Sequence, residues 1–551
     1  MKIQTTIITL SFNLIILLFL FSSTNCISQK DNHKQKTIEE DTLLILQKTT
    51  QSYYANNINK INLKNHIELL ASESFEGRKV GEKGQKMAGL YIQDFFIKNE
   101  LEPAVPTEVG KRYSQEFEIE RNRISSVIIK KIEEKKEPFY KNKKDFLANP
   151  LTYLHNENEL NIVLTGYSIL PNEQIRGRGV ALFLDTDNRE FIFYSNQDWN
   201  EKTEKQVLLA QKAGAKAVFF ILPNADNFKI NAKRLQKSKY LNREFYTLKT
   251  KKSIPVYFLS MQTAAQLFDY SQLEWQQIEE QFRAKKIPSK LPYSSISIEI
   301  KKENLETIKT ENIIGFVEGT NLKNEVIIIS AHYDHLGKTN EQTNYFAGAD
   351  DNASGVAALM ELAKVFALAK KEGFAPKRSI LFLATTAEEI GMLGSSYYAD
   401  IAPIFPISNT ITNLNIDMIG REYNLKNKYP NNNYVSIVGS DWLSPLLHQT
   451  HQQANERFTK LNLDYTYNSK SHPENFFYRS DQYSFAKYDI PIIFYTSPDH
   501  NDYHKISDTA EKIDYQRVEK ITKLIFHTTW QLANQEKSPK KVEKNRFEDQ
   551  K

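Results

Sequence analysis

Hydrophobic and polar positions along this chain change texture three times. Between residues 63 and 101, Met87, Leu90, Tyr91, Phe95 and Ile97 recur at three- and four-residue spacing, the period of an amphipathic helix. A glycine-bearing loop precedes them, from Glu76-Gly77-Arg78 through Gly81 to Gly84. From about 155 to 295 the pattern becomes short unbroken apolar runs: NIVLTGY, GVALFLD, EFIFYS, AVFFIL and IPVYFLS. A helix over 204–213 ends at Gly214 and leads into a strand over 217–222. Strands and helices this short, in alternation, predict a compact α/β insertion.

The third texture runs from about 305 to 535. Buried strands are predicted over 326–330, 380–384, 413–416, 434–438 and 491–495, with a helix around 444–455. A further amphipathic helix is predicted over 352–370, with Val356, Leu359, Met360, Ala363, Phe366 and Ala367 on one stripe. The whole predicts an α/β fold, a mixed but mostly parallel central sheet flanked by helices, interrupted by a smaller α/β domain. The boundaries are 46–150 for the first part of the main domain, 155–295 for the insertion and 300–535 for the remainder. A charged tail occupies 536–551.

The first residues depart from the general polarity. A basic start, an apolar run over 7–21 that is short for a membrane span of about 20 residues, and the polar stretch Ser22-Ser23-Thr24-Asn25-Cys26 predict a secretory signal over 1–26. A flexible, polar leader over 27–45 follows. Cys26 is the single cysteine, so no intrachain disulfide is available. It is also a candidate lipid anchor, although Asn25 stands where a small residue is usual before a lipidated cysteine. The expected location is outside the cell or in its envelope, with no membrane span after the signal. A net charge of +5, from 72 basic and 67 acidic residues spread along the chain, excludes a nucleic-acid footprint.

The chemistry sits in the third region. His332 in AHYDHLG, Asp350 in GADDNASG, Glu388 and Glu389 in TTAEEIG, Asp417 in NIDMIG and His504 in DYHKISDT each follow or lie near a predicted strand end, where open α/β sheets place their sites. One open zinc site needs three protein groups. Five ligands suit two metals about 3.5–4 Å apart that share a carboxylate and a water. A carboxylate beside a ligating one can take the water's proton, and the pair Glu388-Glu389 supplies both roles. Asp334, two residues after His332, is placed to hold the imidazole's other N–H. The pattern points to a two-metal hydrolase.

These motifs, with LASESFEGRKVGEKGQKMAGLYIQDFF near the start and RSDQYSFAKYDIPIIF before the last ligand, resemble the co-catalytic di-zinc aminopeptidase and glutamate carboxypeptidase family. The resemblance implies the zinc exopeptidase fold and two Zn²⁺ per chain. One would be bound by His332 and Asp417, the other by Glu389 and His504, with Asp350 bridging and Glu388 as general base. It favours Asp350 over Asp351 and a cis peptide between them. His335, His472 and His500 match no ligand position. Residues 155–295 resemble a protease-associated domain on GVALFLD and AGAKAVFFI. The implied substrates are peptides with a free N-terminus. A carboxypeptidase or dipeptidase would use basic groups such as Arg421 and Arg479. A one-zinc glutaminyl cyclase and a non-catalytic binding protein are the remaining readings.

Overall fold

The computed structural model describes residues 50–132, 139–142, 144–148, 156–170, 172–184, 201–222, 244–250, 254–422, 429, 433–469 and 472–539. The expected signal, leader, Cys26, the strand at EFIFYS and most of the charged tail lie outside them. Residues up to 57 fall in a small separate unit whose described part is helical over 50–55. Residues 58–551 form the second unit.

The second unit opens with helices α1 (Lys60–Leu70) and α2 (Lys83–Lys98). Asn59 caps α1, its side-chain oxygen accepting from the amides of Ile61 and Asn62. Strand β1 (Ser114–Lys131) follows, and then the strands in and beside the region expected to be an insertion: β2 (Phe146–Ala148), β3 (Glu157–Leu164), β4 (Gly179–Phe183), β5 (Ala217–Leu222), β6 (Phe245–Leu248) and β7 (Val256–Ser260). Strand β8 (Tyr293–Val317) returns to the main domain. There β9 (Leu322–His332), α3 (Gly355–Lys371), β10 (Arg378–Thr385), β11 (Thr410–Ile416), β12 (Tyr434–Val438), α4 (Pro445–Ala454), β13 (Asn462–Asp464), β14 (Ile492–Thr496) and α5 (Tyr515–Asn534) complete it.

In the main domain the strands run β13-β12-β14-β11-β9-β10-β8. The central pairs β14–β11, β11–β9 and β9–β10 are parallel, while β12–β14 and β10–β8 are antiparallel. Continuous apolar runs such as Val326-Ile327-Ile328-Ile329 form these strands because helices cover both faces and leave no solvent side to alternate with. The insertion's strands continue the same sheet as β8-β3-β4-β5-β7-β2. One strand, β8, therefore serves two cores: its first residues, Tyr293 to Ile298, pair β3 and its last residues pair β10.

Strands β1 and β8 form an antiparallel ribbon from Ser114↔Ile313 to Lys131↔Ile296, with irregularities at Lys301/Lys302 and Asn304/Glu306. The sequence pattern did not predict this 25-residue strand, because its exposed middle, KKENLETIK, carries charges where apolar alternation would signal a strand. One insertion core holds Ile124, Val127, Ile129 and Phe146 together with Trp275, Ile296 and Ile298, so it draws on chain beyond 155–295.

Helix α3 also differs from expectation. Thirteen of its residues are buried, rather than one stripe. Phe366 packs against Phe382 of the sheet on one side and against Phe526 and Trp530 of α5 on the other. The helical stretch Ala349–Lys371 is long and apolar enough to cross a membrane by composition alone, contrary to the expectation that no later segment is, but 89% of its apolar window is buried inside this fold.

His451 on α4 is fully buried, edge-on to Tyr495, and neither ring nitrogen has a hydrogen-bond partner among the described residues. Burial, with His448 adding to it, pushes its pKa down to about 3. The unfolded chain protonates this group below roughly 6.5, so the stability it permits is present above that pH and is lost as pH falls toward the folded value. His451→Leu is expected to lose about 2 kcal/mol less stability than the parent between about pH 7 and pH 5. Urea midpoints at both pH values check it; identical losses would show that His451 is not neutral in the native state.

Candidate metal centre

Each expected ligand sits at the carboxyl end of a strand of the main sheet or on a loop reaching that end. His332 is the last residue of β9, Glu388 and Glu389 follow β10, Asp417 follows β11, and His504 lies on the loop after β14. The residue joining them is Asp351. Its Oδ1 lies 3.4 Å from His332 Nε2, which is also 3.3 Å from Asp417 Oδ1. Its Oδ2 lies 3.1 Å from His504 Nε2, itself 3.2 Å from Glu389 Oε2. One carboxylate thus faces two clusters at once.

The expectation that Asp350 bridges is corrected. Its Oδ1 accepts the Gly420 amide at 2.5 Å and its Oδ2 faces His500 Nε2 at 3.2 Å, away from both clusters. Both aspartates give their amides to Asp508, and the turn sends their side chains to different sides. The cis peptide is Asp351–Asn352, one bond later than expected. His500, which matched no ligand position, is the partner of Asp350.

A buried framework holds the ligands. The Asn352 side chain donates to Ile416 O and accepts from the amides of Gly355 and Met418, tying the Asp351 turn to the end of β11. Ser480 donates to Asp417 Oδ2 at 2.7 Å, leaving Oδ1 toward His332. Gly348, with φ at +57°, could not carry a side chain: a Cβ there would lie 2.3 Å from Asp351 O. The Arg78 guanidinium, completely buried, donates to Tyr333 O, Leu70 O, Ala347 O and Gly348 O, and so clamps the loops behind His332 and ahead of Asp351. Burial lowers its pKa to about 10, against the pull of Asp351 and Asp508. Arg78 stood in the glycine-bearing loop read from sequence, but nothing there signalled that it reaches the site.

Asp334 takes a somewhat different place from the expected one. His332 Nδ1 is 3.2 Å from the Asp334 main-chain oxygen and 3.8 Å from its carboxylate. That carboxylate accepts the amides of Glu388 at 3.2 Å and Glu389 at 3.4 Å, so it orients the loop bearing both glutamates. His335, excluded from the ligand set, is buried with Nδ1 at 2.6 Å from Glu389 Oε1 and 3.9 Å from Asp351 Oδ2. The AHYDHLG motif displays it three residues after His332.

The donor set fits zinc. His332 Nε2, His335 Nε2 and Asp417 Oδ1 are buried without hydrogen-bond partners among the described residues. The groups His332–Asp351–Asp417 and His335–Asp351–Glu389 each bring their donor atoms within 4.8 Å of one another. Imidazole nitrogen and carboxylate oxygen are zinc donors. The electrostatics agree. Burial disfavours charge on His332, yet Asp417 and Asp351 outweigh it and raise its pKa well above the usual imidazole value. Burial and Asp351 push Glu389 up, but His335 and His504 pull it below the usual carboxylate range. Burial, then Glu389 and Asp417, push Glu388 well up against the opposing pull of His332. Clustered carboxylates of this kind demand a compensating cation.

A cleft of about 310 Å³ opens onto the centre, lined by Asp351, Glu388, Glu389, Asp417 and His504, with Met392, Met418, Phe476 and Phe494. Glu244, Phe245 and Tyr246 of the insertion line it too. Arg479 is in the lining but donates to both carboxylate oxygens of Asp499, at 3.0 and 2.8 Å. Arg421 is not in the lining; it pairs with Asp502 at 2.7 Å and faces Asp508 at 3.9 Å.

An α/β sheet presents two donor clusters on a shared carboxylate with a spare glutamate beside them, an arrangement suited to metal-assisted hydrolysis. The model of peptidase family M28 matches residues 312–529 of this chain. Aminopeptidase YwaD of Bacillus subtilis is 26% identical over 242 residues, 43% of this chain and 47% of that protein. A probable zinc metalloprotease of Pyrenophora teres f. teres is 26% identical over 276 residues, 43% and 54% of the two chains. The chain thus spans about half the length of these curated relatives. Among solved structures, a zinc aminopeptidase from Bacillus subtilis matches with a TM-score of 0.44 and 18% identity, over 88% of this chain and 98% of that one.

Proposed function

We propose that this chain is a two-zinc aminopeptidase, exported to the cell envelope or beyond, with an insertion of the protease-associated type. The observation that carries it is the Asp351 carboxylate, whose two oxygens face His332 with Asp417 and His504 with Glu389. His332 and Asp417 would hold one zinc, Glu389 and His504 the other, with Asp351 shared between them. Bound zinc supplies Lewis acidity, which polarises a carbonyl and lets water lose its proton near neutral pH. Glu388 belongs to neither donor group and lines the cleft, so it takes the water's proton and passes it to the departing amine. Asp334 holds Glu388 there through its amide.

The charge of the lining supports an aminopeptidase over a carboxypeptidase. Six carboxylates (Glu244, Asp351, Glu388, Glu389, Asp417 and Asp499) face one guanidinium, Arg479, which Asp499 already pairs. Glu244 is paired by Arg121 and Arg123, so two divalent ions would balance the four remaining carboxylates and leave no unpaired cation among the described lining residues for a terminal carboxylate. Export rests on the apolar run over 7–21.

The purified protein is expected to hold two zinc ions per chain and to cleave aminoacyl substrates but not their N-acetylated forms. A chelator should abolish turnover and zinc should restore it. Cleavage of N-blocked peptides with a free carboxylate would instead favour the carboxypeptidase. Absence of metal and turnover after zinc addition would leave a binding protein.

A further inference from the structure

The insertion reaches the metal cleft through one strand. Strand β6 pairs antiparallel with β1 in the register Tyr246↔Arg121 and Phe245↔Asn122. Glu244, at its start, accepts from Arg121 at 2.8 Å and Arg123 at 3.2 Å, and those arginines also pair with Glu306 and Glu303 of β8. The ladder and the ion pairs fix where the strand lies. Side chains alternate along it: Phe245 packs into the insertion's core, whereas Tyr246 and Leu248 pack on the other face with Val80, Phe117 and Ala387. Ile390 packs on the same cluster. Ala387 and Ile390 flank the two site glutamates, so the Tyr246 ring stands against the loop that carries them. Tyr246 lines the cleft; Leu248, its neighbour on that face, does not.

Apart from Phe245, the rest of the apolar lining comes from the main domain: Ile390, Met392, Met418, Phe476 and Phe494. We propose that Tyr246 is a specificity-determining residue, one wall of the pocket that receives the first side chain of the substrate, and that this pocket selects a large apolar or aromatic residue. The inference rests on the aminopeptidase reading. It follows from chemistry: apart from Thr496, whose hydroxyl donates to Ser497 O, and the base Glu388, the side chains of the cleft's walls not committed to metal or ion pairs are apolar or aromatic, and burying an apolar side chain among them is favourable in proportion to its area. The insertion would then determine which peptides are cut, through a contact some 140 residues away in sequence from the glutamates it touches.

The test compares zinc-loaded, full-length protein with its Tyr246→Ala, Tyr246→Trp and Leu248→Ala variants on Ala-, Leu- and Phe-p-nitroanilide. The parent should prefer Leu and Phe to Ala. Widening the wall in Tyr246→Ala should raise the Phe-to-Leu ratio of kcat/KM about tenfold, the scale set by a methylene-sized change in an apolar pocket. Tyr246→Trp should lower that ratio, which keeps the test decisive should the alanine variant fail to fold. Leu248→Ala should reduce thermal stability and leave the ratio unchanged. Ratios unmoved by both Tyr246 variants, equal shifts in Leu248→Ala, or a parent preference for Ala over Leu and Phe would overturn the proposal. A parent inactive on every substrate would instead sink the aminopeptidase reading, and the proposal with it.

Discussion

Asp351→Asn is expected to abolish turnover and to lower zinc content, while Asp350→Asn keeps both ions. Among the described residues Asp351 is the one side chain whose two oxygens face both donor clusters, so replacing one of them by an amide nitrogen removes a donor and a negative charge between two divalent ions. Metal ions supply several kcal/mol of transition-state stabilisation, and about 4 kcal/mol corresponds to roughly 10³-fold in rate; a loss of at least that order is expected. Asp350 has a different task. Its carboxylate accepts from Gly420 and faces His500, and an asparagine oxygen can replace one of those acceptors. Its variant should keep turnover within about tenfold of the parent, the cost of one weakened buried hydrogen bond. Zinc analysis after exhaustive dialysis, beside kcat for each variant, separates the two aspartates. Metal loss in Asp350→Asn with retention in Asp351→Asn would restore the assignment made from sequence.

That exchange shows where the sequence stops being informative. The strands β9, β10 and β11 were legible because parallel, doubly covered strands are written as apolar runs, and the residues ending them were legible because the runs stop at His332, Thr385 and Ile416. Which of two adjacent aspartates faces the metals is a matter of backbone path, and the Asp351–Asn352 turn is set by Asn352, Asp508 and Gly348, all distant partners or local geometry without a periodic signature. Arg78 and His335 escaped for a related reason: their roles are defined by main-chain oxygens and a carboxylate brought near only by folding. The ribbon of β1 and β8 was hidden by its own charges. Its exposed middle is held by ion pairs and ladder bonds, whereas the ends that carry apolar alternation enter two separate cores.

Glu388→Gln is the second large effect, and it isolates the chemical step from the binding of metal. The side chain lines the cleft outside both donor groups, so the nearly isosteric amide should leave two zinc ions in place and KM little changed. What it removes is a proton acceptor beside the scissile bond. General-base catalysis contributes about 10²–10⁴-fold, and kcat should fall within that range. Glu389→Gln makes the contrast, because its carboxylate oxygens face His335 and His504; there the metal content itself should drop, and turnover with it. The two neighbours therefore differ in kind, one lost in kcat with the metals retained and the other lost through the metals. If Glu388→Gln shed zinc as readily as Glu389→Gln, the two glutamates would share the role of ligand. The base would then have to be sought among the other carboxylates that line the cleft, Asp499 and Glu244.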